Sequence, residues 1–135
     1  MEPMFLELAD VVAIHGEQIE RYGGSLGVRD LGLLESELAM PTASFGGEFL
    51  HRDLYEMAAA YLFHLVKNHP FLDGNKRVGA MAAYAFLDLN GIGLVADPDE
   101  FAELVLNVAT GQADKVAIAE FLRANSRPLG EPNGG

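Results

Sequence analysis

Apolar positions recur along most of this chain at three- and four-residue spacing, which is the period of amphipathic helices. Phe5, Leu8, Val12, His15, Ile19 and Tyr22 form the first such stripe. It predicts a helix over roughly residues 5–22, ended by Gly23-Gly24. Asp30 precedes Leu31, Leu34 and Leu38, a short second helix closed by Pro41. Asp53 opens a third, with Leu54, Met57, Ala58, Tyr61, Leu62 and Leu65 on one face and Ala59, Phe63 and Val66 on a second. That predicts a helix buried on most sides. Pro70 disfavours the α conformation at His69, so this helix stops there. A fourth, about 75–90, carries Val78, Met81, Ala82, Ala85, Phe86 and Leu89, and ends at Asn90-Gly91. Its alanines permit close helix approach.

Asp97-Pro98-Asp99-Glu100 has the order of an N-cap, a proline at the first helical position and an acid at the third. Phe101, Leu104, Val105 and Val108 follow, ending at Gly111, and Asp114 starts a last helix with Ile118, Phe121 and Leu122. Residues 41–52 show neither helical nor strand period. Adjacent glycines between phenylalanines there suggest a mobile or hairpin-like flap, a plain connector being the alternative. The pattern predicts an all-α fold, one domain over 1–126 of about six helices, with little or no strand beyond the flap. Residues 127–135 read as a disordered tail.

Composition narrows the class. At 135 residues, half of them hydrophobic, the chain can bury a proper core and is not disordered. It has no cysteine, so it forms no disulfide and has no thiolate metal site or cysteine nucleophile. That agrees with a reducing, cytoplasmic setting. Met1-Glu2-Pro3-Met4 lacks the basic start and apolar run of a signal peptide, and no apolar run is suited to span a bilayer. With a net charge of −11 and pI near 4.6, nucleic acid and anionic membrane are not expected partners.

One segment runs against that charge. Between 67 and 77 lie Lys67, Lys76 and Arg77, opposed only by Asp73, so the segment carries a local +2 (three minus one). Within it, His69-Pro70-Phe71-Leu72-Asp73-Gly74-Asn75-Lys76-Arg77 joins the third helix to the fourth. A helix N-terminus offers unpaired N–H groups and partial positive charge, and so suits an anion. Gly74 permits close backbone approach. Asn75 can cap the helix or touch a phosphate. Lys76 supplies a point charge and Arg77 a fork. Asp73 is one hard oxygen ligand, suited to a Mg²⁺ held mainly by phosphates and water. His69 can take a proton from a hydroxyl, and Phe71 is the apolar anchor that pins the loop. Together these are the parts of phosphate transfer. Each also has a bland reading as a helix end, a turn or a solvated face. For His15, the bland reading is a core-edge histidine satisfied by a neighbour; Arg29 and Asp30 read as local caps. Zinc hydrolysis fits poorly, since there is no His-Glu-x-x-His pair, and a Ser-His-Asp triad lacks a nucleophile elbow.

The nine-residue stretch resembles the signature of the Fic/Doc family, His-Pro-Phe-x-Asp/Glu-Gly-Asn-Gly/Lys-Arg. The likeness extends to Arg29-Asp30-Leu31-Gly32-Leu33-Leu34-Glu35 and covers about residues 5–126, pointing to the death-on-curing (Doc) type of toxin. The resemblance implies a helical Fic fold with His69 as base and Asp73 on Mg²⁺. It places Gly74, Asn75, Lys76 and Arg77 around the phosphates of ATP. Most Fic proteins move AMP onto a hydroxyl of a target protein. The Doc type moves the γ-phosphate of ATP onto a threonine of elongation factor Tu, a translation factor, and is held inactive by a cognate antitoxin.

Two departures bear on the chemistry. Fic adenylyltransferases have glycine where this chain has Lys76, and arginine where it has Ala80. A lysine fills room that glycine leaves to phosphate, which favours phosphate over AMP transfer. The family's internal inhibitory pattern, Ser/Thr-x-x-x-Glu-Gly/Asn, is met only in part by Ser44-Phe45-Gly46-Gly47-Glu48-Phe49. Control by a separate protein is therefore expected. The alternatives are an adenylyltransferase and a catalytically idle Fic domain that only binds partners. The complete set of His69, Asp73, Asn75, Lys76 and Arg77 argues against the idle domain.

Overall fold

A computed structural model describes residues 2–130. Six helices form: α1 (Leu8–Tyr22), α2 (Leu31–Ala39), α3 (Leu54–Asn68), α4 (Asn75–Leu89), α5 (Pro98–Ala109) and α6 (Lys115–Ala124). Two antiparallel strand pairs accompany them, β1 (Ser44–Phe45) with β2 (Glu48–Phe49) and β3 (Ile92–Leu94) with β4 (Ser126–Pro128). The class is all-α, as the periodicity predicts.

α3 is the centre. Met57 through Leu62, Leu65 and Val66 are buried, and the helix packs most extensively on α4 and then on α6. The α3–α4 contact depends on Gly79. A Cβ there would stand 2.6 Å from Val66 Cγ2 and 3.2 Å from the Leu62 carbonyl oxygen. No side chain larger than hydrogen fits without moving one helix. Ala82 and Ala83 continue the close seam.

Aspartates start α2, α3, α5 and α6. Asp30, Asp53, Asp97 and Asp114 each accept a backbone N–H from the first turn of the helix that follows. α1 begins at Leu8, not at Phe5. Glu7 and Asp10 form a reciprocal capping box that sets the start, and Phe5 lies ahead of it, stacked on Phe86 at 5.8 Å. The buried face is also turned from the expected stripe. Val11, His15, Gln18 and Ile19 face inward, while Val12 and Tyr22 are exposed. Two of these four inward residues, His15 and Gln18, are polar, so apolar spacing alone does not mark the buried face.

Residues 41–52 contain a hairpin. Gly46 and Gly47 both have positive φ, 61° and 84°, as a two-residue hairpin turn requires. The β3–β4 pair is additional to the expected strand content. It overturns part of the expected disordered tail: Arg127 and Pro128 pair with Gly93 and Ile92, and the Leu129 N–H donates to the Gly91 carbonyl. A three-residue strand containing proline has no period to detect. Residues 131–135, the rest of that expected tail, lie outside the described residues.

Candidate active site

The loop from His69 to Gly74 links the C-terminus of α3 to the N-terminus of α4. Pro70 keeps His69 out of the right-handed helical region, and His69 takes the left-handed one, with φ 51° and ψ 57°. It is exposed. Two residues on, Phe71 is only 1% exposed and stacks on the His15 ring with centroids 4.0 Å apart and planes 11° apart. Asn75 holds the Phe71 backbone on both sides of its Cα: the Phe71 N–H donates to Oδ1 at 3.0 Å, and Nδ2–H donates to the Phe71 carbonyl at 3.1 Å. The loop is thus tied to the first residue of the helix it leads into.

A second segment is laid along the loop. The Arg29 and Asp30 N–H groups donate to the Pro70 carbonyl, Val28 bridges to Phe71, and the Leu72 N–H donates to the Gly27 carbonyl. The Arg29 side chain reaches the carbonyls of Asn68 and His69.

Asp73 has its backbone and side chain set separately. Its carbonyl meets His15 Nε2 at 2.8 Å. A carbonyl only accepts, so Nε2 carries the hydrogen. Asp73 Oδ1 accepts the Gly74 N–H at 2.8 Å, and Oδ2 accepts the Ser25 N–H weakly at 3.3 Å. The carboxylate is exposed and has lone pairs to spare. Gly24 must be glycine for this approach, because a Cβ there would lie 2.6 Å from Asp73 Oδ2. Gly74, at φ 78°, is the N-cap of α4.

The two cations differ in their engagement. Arg77 Nη1 donates to the Gln18 carbonyl at 3.2 Å and Nη2 to the Gly23 carbonyl at 3.0 Å, so the guanidinium closes the C-terminus of α1. Its carbon also lies 5.8 Å from the Tyr22 ring centre. Lys76 is exposed and makes no hydrogen bond or ion pair among the described residues. Asn75, which the sequence left as either a cap or a phosphate contact, has its side-chain amide engaged with Phe71 and 8% exposed. His15 is the satisfied histidine expected, and its neighbour is the loop itself.

The periodicity did not single out a polar chain beneath the loop. Glu37 is 4% exposed; its Oε1 accepts Asn68 Nδ2–H at 2.7 Å, and its Oε2 lies 3.4 Å from His64 Nδ1. His64 Nε2 lies 3.3 Å from Lys115 Nζ. Burial, and then the Lys115 charge, push the His64 pKa down to about 4. Burial raises that of Glu37, with the Asn68 hydrogen bond opposing. His64 is therefore neutral near pH 7, with Nδ1–H directed at Glu37 and Nε2 accepting from Lys115. The contact is a hydrogen-bonded chain, not an ion pair. Its one sequence signal was Glu37 itself, a carboxylate three residues from Leu34 on the inward face of α2.

A groove of about 900 Å³ lies elsewhere, lined by Gly47, Glu48 and Phe49 of the hairpin with Leu54, Met57, Leu89 and Asn90. Those positions belong to the start of α3 and the end of α4. The groove therefore sits at the opposite end of the α3–α4 pair from His69. No hydrogen bond joins the hairpin to residues 69–77 among the described residues.

A helical core that presents this loop at a helix N-terminus is the arrangement the signature implied. The model of the Fic/DOC family matches residues 5–87, and the chain belongs to that family. It is 43% identical to a protein named Toxin Doc from Mycolicibacterium smegmatis over 103 residues, 75% of this chain and 79% of the relative. It is 36% identical to Protein kinase doc of Escherichia phage P1 over 114 residues, 84% of this chain and 89% of that protein.

Proposed function

We propose that this protein is a Doc-type toxin that transfers the γ-phosphate of ATP to a hydroxyl of a target protein. By resemblance, that target is elongation factor Tu, whose modification would block translation. The observation that carries the reading is Lys76. It is an exposed cation without a partner among the described residues, in the first turn of α4 between His69–Asp73 and Arg77. The name of the phage P1 relative, Protein kinase doc, supports the same choice over AMP transfer.

In this reading His69 accepts the proton of the target hydroxyl as its oxygen forms a bond to the γ-phosphorus. The bond from that phosphorus to the bridging oxygen breaks, and ADP leaves. The N–H groups at the start of α4, together with Lys76, hold phosphate oxygens. Arg77 has two of its five donors committed to α1, so it fixes the helix start and adds charge with the remainder. Asn75 acts through Phe71, keeping the loop in shape. Gly74 leaves the backbone accessible.

No three His, Asp or Glu side chains gather to hold a metal among the described residues. Asp73 as a lone carboxylate fits a Mg²⁺ whose other ligands are nucleotide phosphates and water. When bound, that ion would neutralise phosphate charge. Control falls to a separate antitoxin, because the internal inhibitory pattern is incomplete at Phe49. No helix of the described residues is long and apolar enough to cross a membrane.

The test is transfer from separately γ- and α-labelled ATP, with Mg²⁺ and bacterial extract. Label on protein from γ alone is expected. Label from α would replace this reading with AMP transfer, and no label from either would leave a binding module.

A further inference from the structure

We propose that Arg29 is the positioning residue that sets the aim of His69. The proposal rests on the base role given to His69 above.

His69 is the one non-glycine residue with positive φ among the described residues. Such a conformation persists only where its surroundings over-determine it. Pro70 removes the right-handed helical alternative, but it leaves the extended one open. Arg29 removes that second alternative. Its Nε donates to the His69 carbonyl at 2.7 Å and its Nη2 to the Asn68 carbonyl at 3.0 Å. Its own N–H donates to the Pro70 carbonyl at 2.8 Å. One residue therefore grips three consecutive carbonyls, 68, 69 and 70. Moving His69 to extended backbone would change ψ by about 90° and swing its carbonyl out of the guanidinium fork. Asn68 is fixed on its other side by Glu37, at 2.7 Å.

The His69 ring makes no hydrogen bond of its own among the described residues. Its direction is inherited from its backbone, and the backbone is held by Arg29. An ordinary arginine cap on a helix end would stabilise α3 and do nothing more. A clamp that selects the left-handed state also decides where the imidazole points.

The experiment uses the full chain with Arg29→Ala and Arg29→Lys. Two quantities are read: the backbone carbon shifts and couplings of His69 by NMR, and the rate of γ-phosphate transfer at saturating ATP with the KM for ATP. In Arg29→Ala the His69 signals should move from left-handed to extended values. The transfer rate should fall about 10²-fold, as a misaimed reacting group does, with KM for ATP within about twofold of wild type. Lysine offers a point donor in place of a fork, so Arg29→Lys should fall between the two. If Arg29→Ala does not fold, Arg29→Lys carries the test. A folded variant that keeps the left-handed signals or the wild-type rate overturns the proposal, as does a KM that rises as much as the rate falls. A wild-type chain that transfers no phosphate would remove the kinase reading. The clamp would then be judged on the His69 signals alone, and unchanged signals in both variants would overturn it.

Discussion

Asn75 and Phe71 form a closed pair in which one side-chain amide satisfies both the backbone N–H and the backbone carbonyl of Phe71, at 3.0 and 3.1 Å. Both residues are buried, so neither backbone group can turn to water instead. Asn75→Ala leaves a buried N–H and a buried carbonyl unpaired. The expected loss is roughly 1–3 kcal/mol of stability, with phosphate transfer falling as the loop loosens. Urea unfolding reads the first effect and labelled ATP the second. A variant with the wild-type urea midpoint would show that the pair does not hold the loop.

His69→Ala should abolish modification while leaving ATP affinity largely intact, because His69 is assigned to the target proton and not to phosphate. Loss of a general base typically costs on the order of 10²–10⁴ in rate. Calorimetric titration with ATP separates the two quantities. If affinity falls as severely as the rate, the role assigned to His69 is wrong.

Lys76→Gly should lower γ-phosphate transfer and allow some AMP transfer, since it reopens space beside the helix start and removes a charge. Lys76 has no protein partner among the described residues, so the fold should lose at most about 1 kcal/mol from the glycine itself. Adding Ala80→Arg should strengthen any gain in AMP transfer. Unchanged γ-transfer by Lys76→Gly would remove the physical support for preferring a kinase.

The pH dependence of stability should carry the mark of His64. Its folded pKa, about 4, lies below its unfolded value of 6.5. The unfolded chain therefore binds the extra proton first, and stability falls as pH drops from about 6.5 to about 4. The His64 share is at most about 3 kcal/mol. Glu37 has the opposite sign. Its pKa is raised, so its contribution is present below the ordinary carboxylate range and is lost as pH rises through its folded value. Thermal melts of wild type and His64→Gln between pH 4 and 7 separate the two. The variant should lose the His64 part of the slope between pH 6.5 and 4 and keep the part due to His51, whose pKa burial also lowers; an unaltered slope would mean that His64 is not held neutral.

Much of this protein is determined by local chemistry. Apolar spacing marked all six helices, and the aspartates at 30, 53, 97 and 114 marked four of their starts, because a cap needs only its own first turn. The nine-residue loop carried its chemistry in one continuous run, so His69, Asp73, Lys76 and Arg77 could be read as a set without knowing the fold. Tertiary structure decided what those side chains are free to do. Arg77 turned to the end of α1, and Asn75 turned to Phe71, because carbonyls and N–H groups 4 to 59 positions away needed partners. The inward face of α1, the β3–β4 pairing and the chain from Glu37 to Lys115 were likewise decided by contacts between distant segments. Burial, and not spacing, made His64 neutral. The left-handed turn at His69 needed both kinds of cause: Pro70 next door excluded one conformation, and Arg29, forty positions earlier, selected between the two that remained.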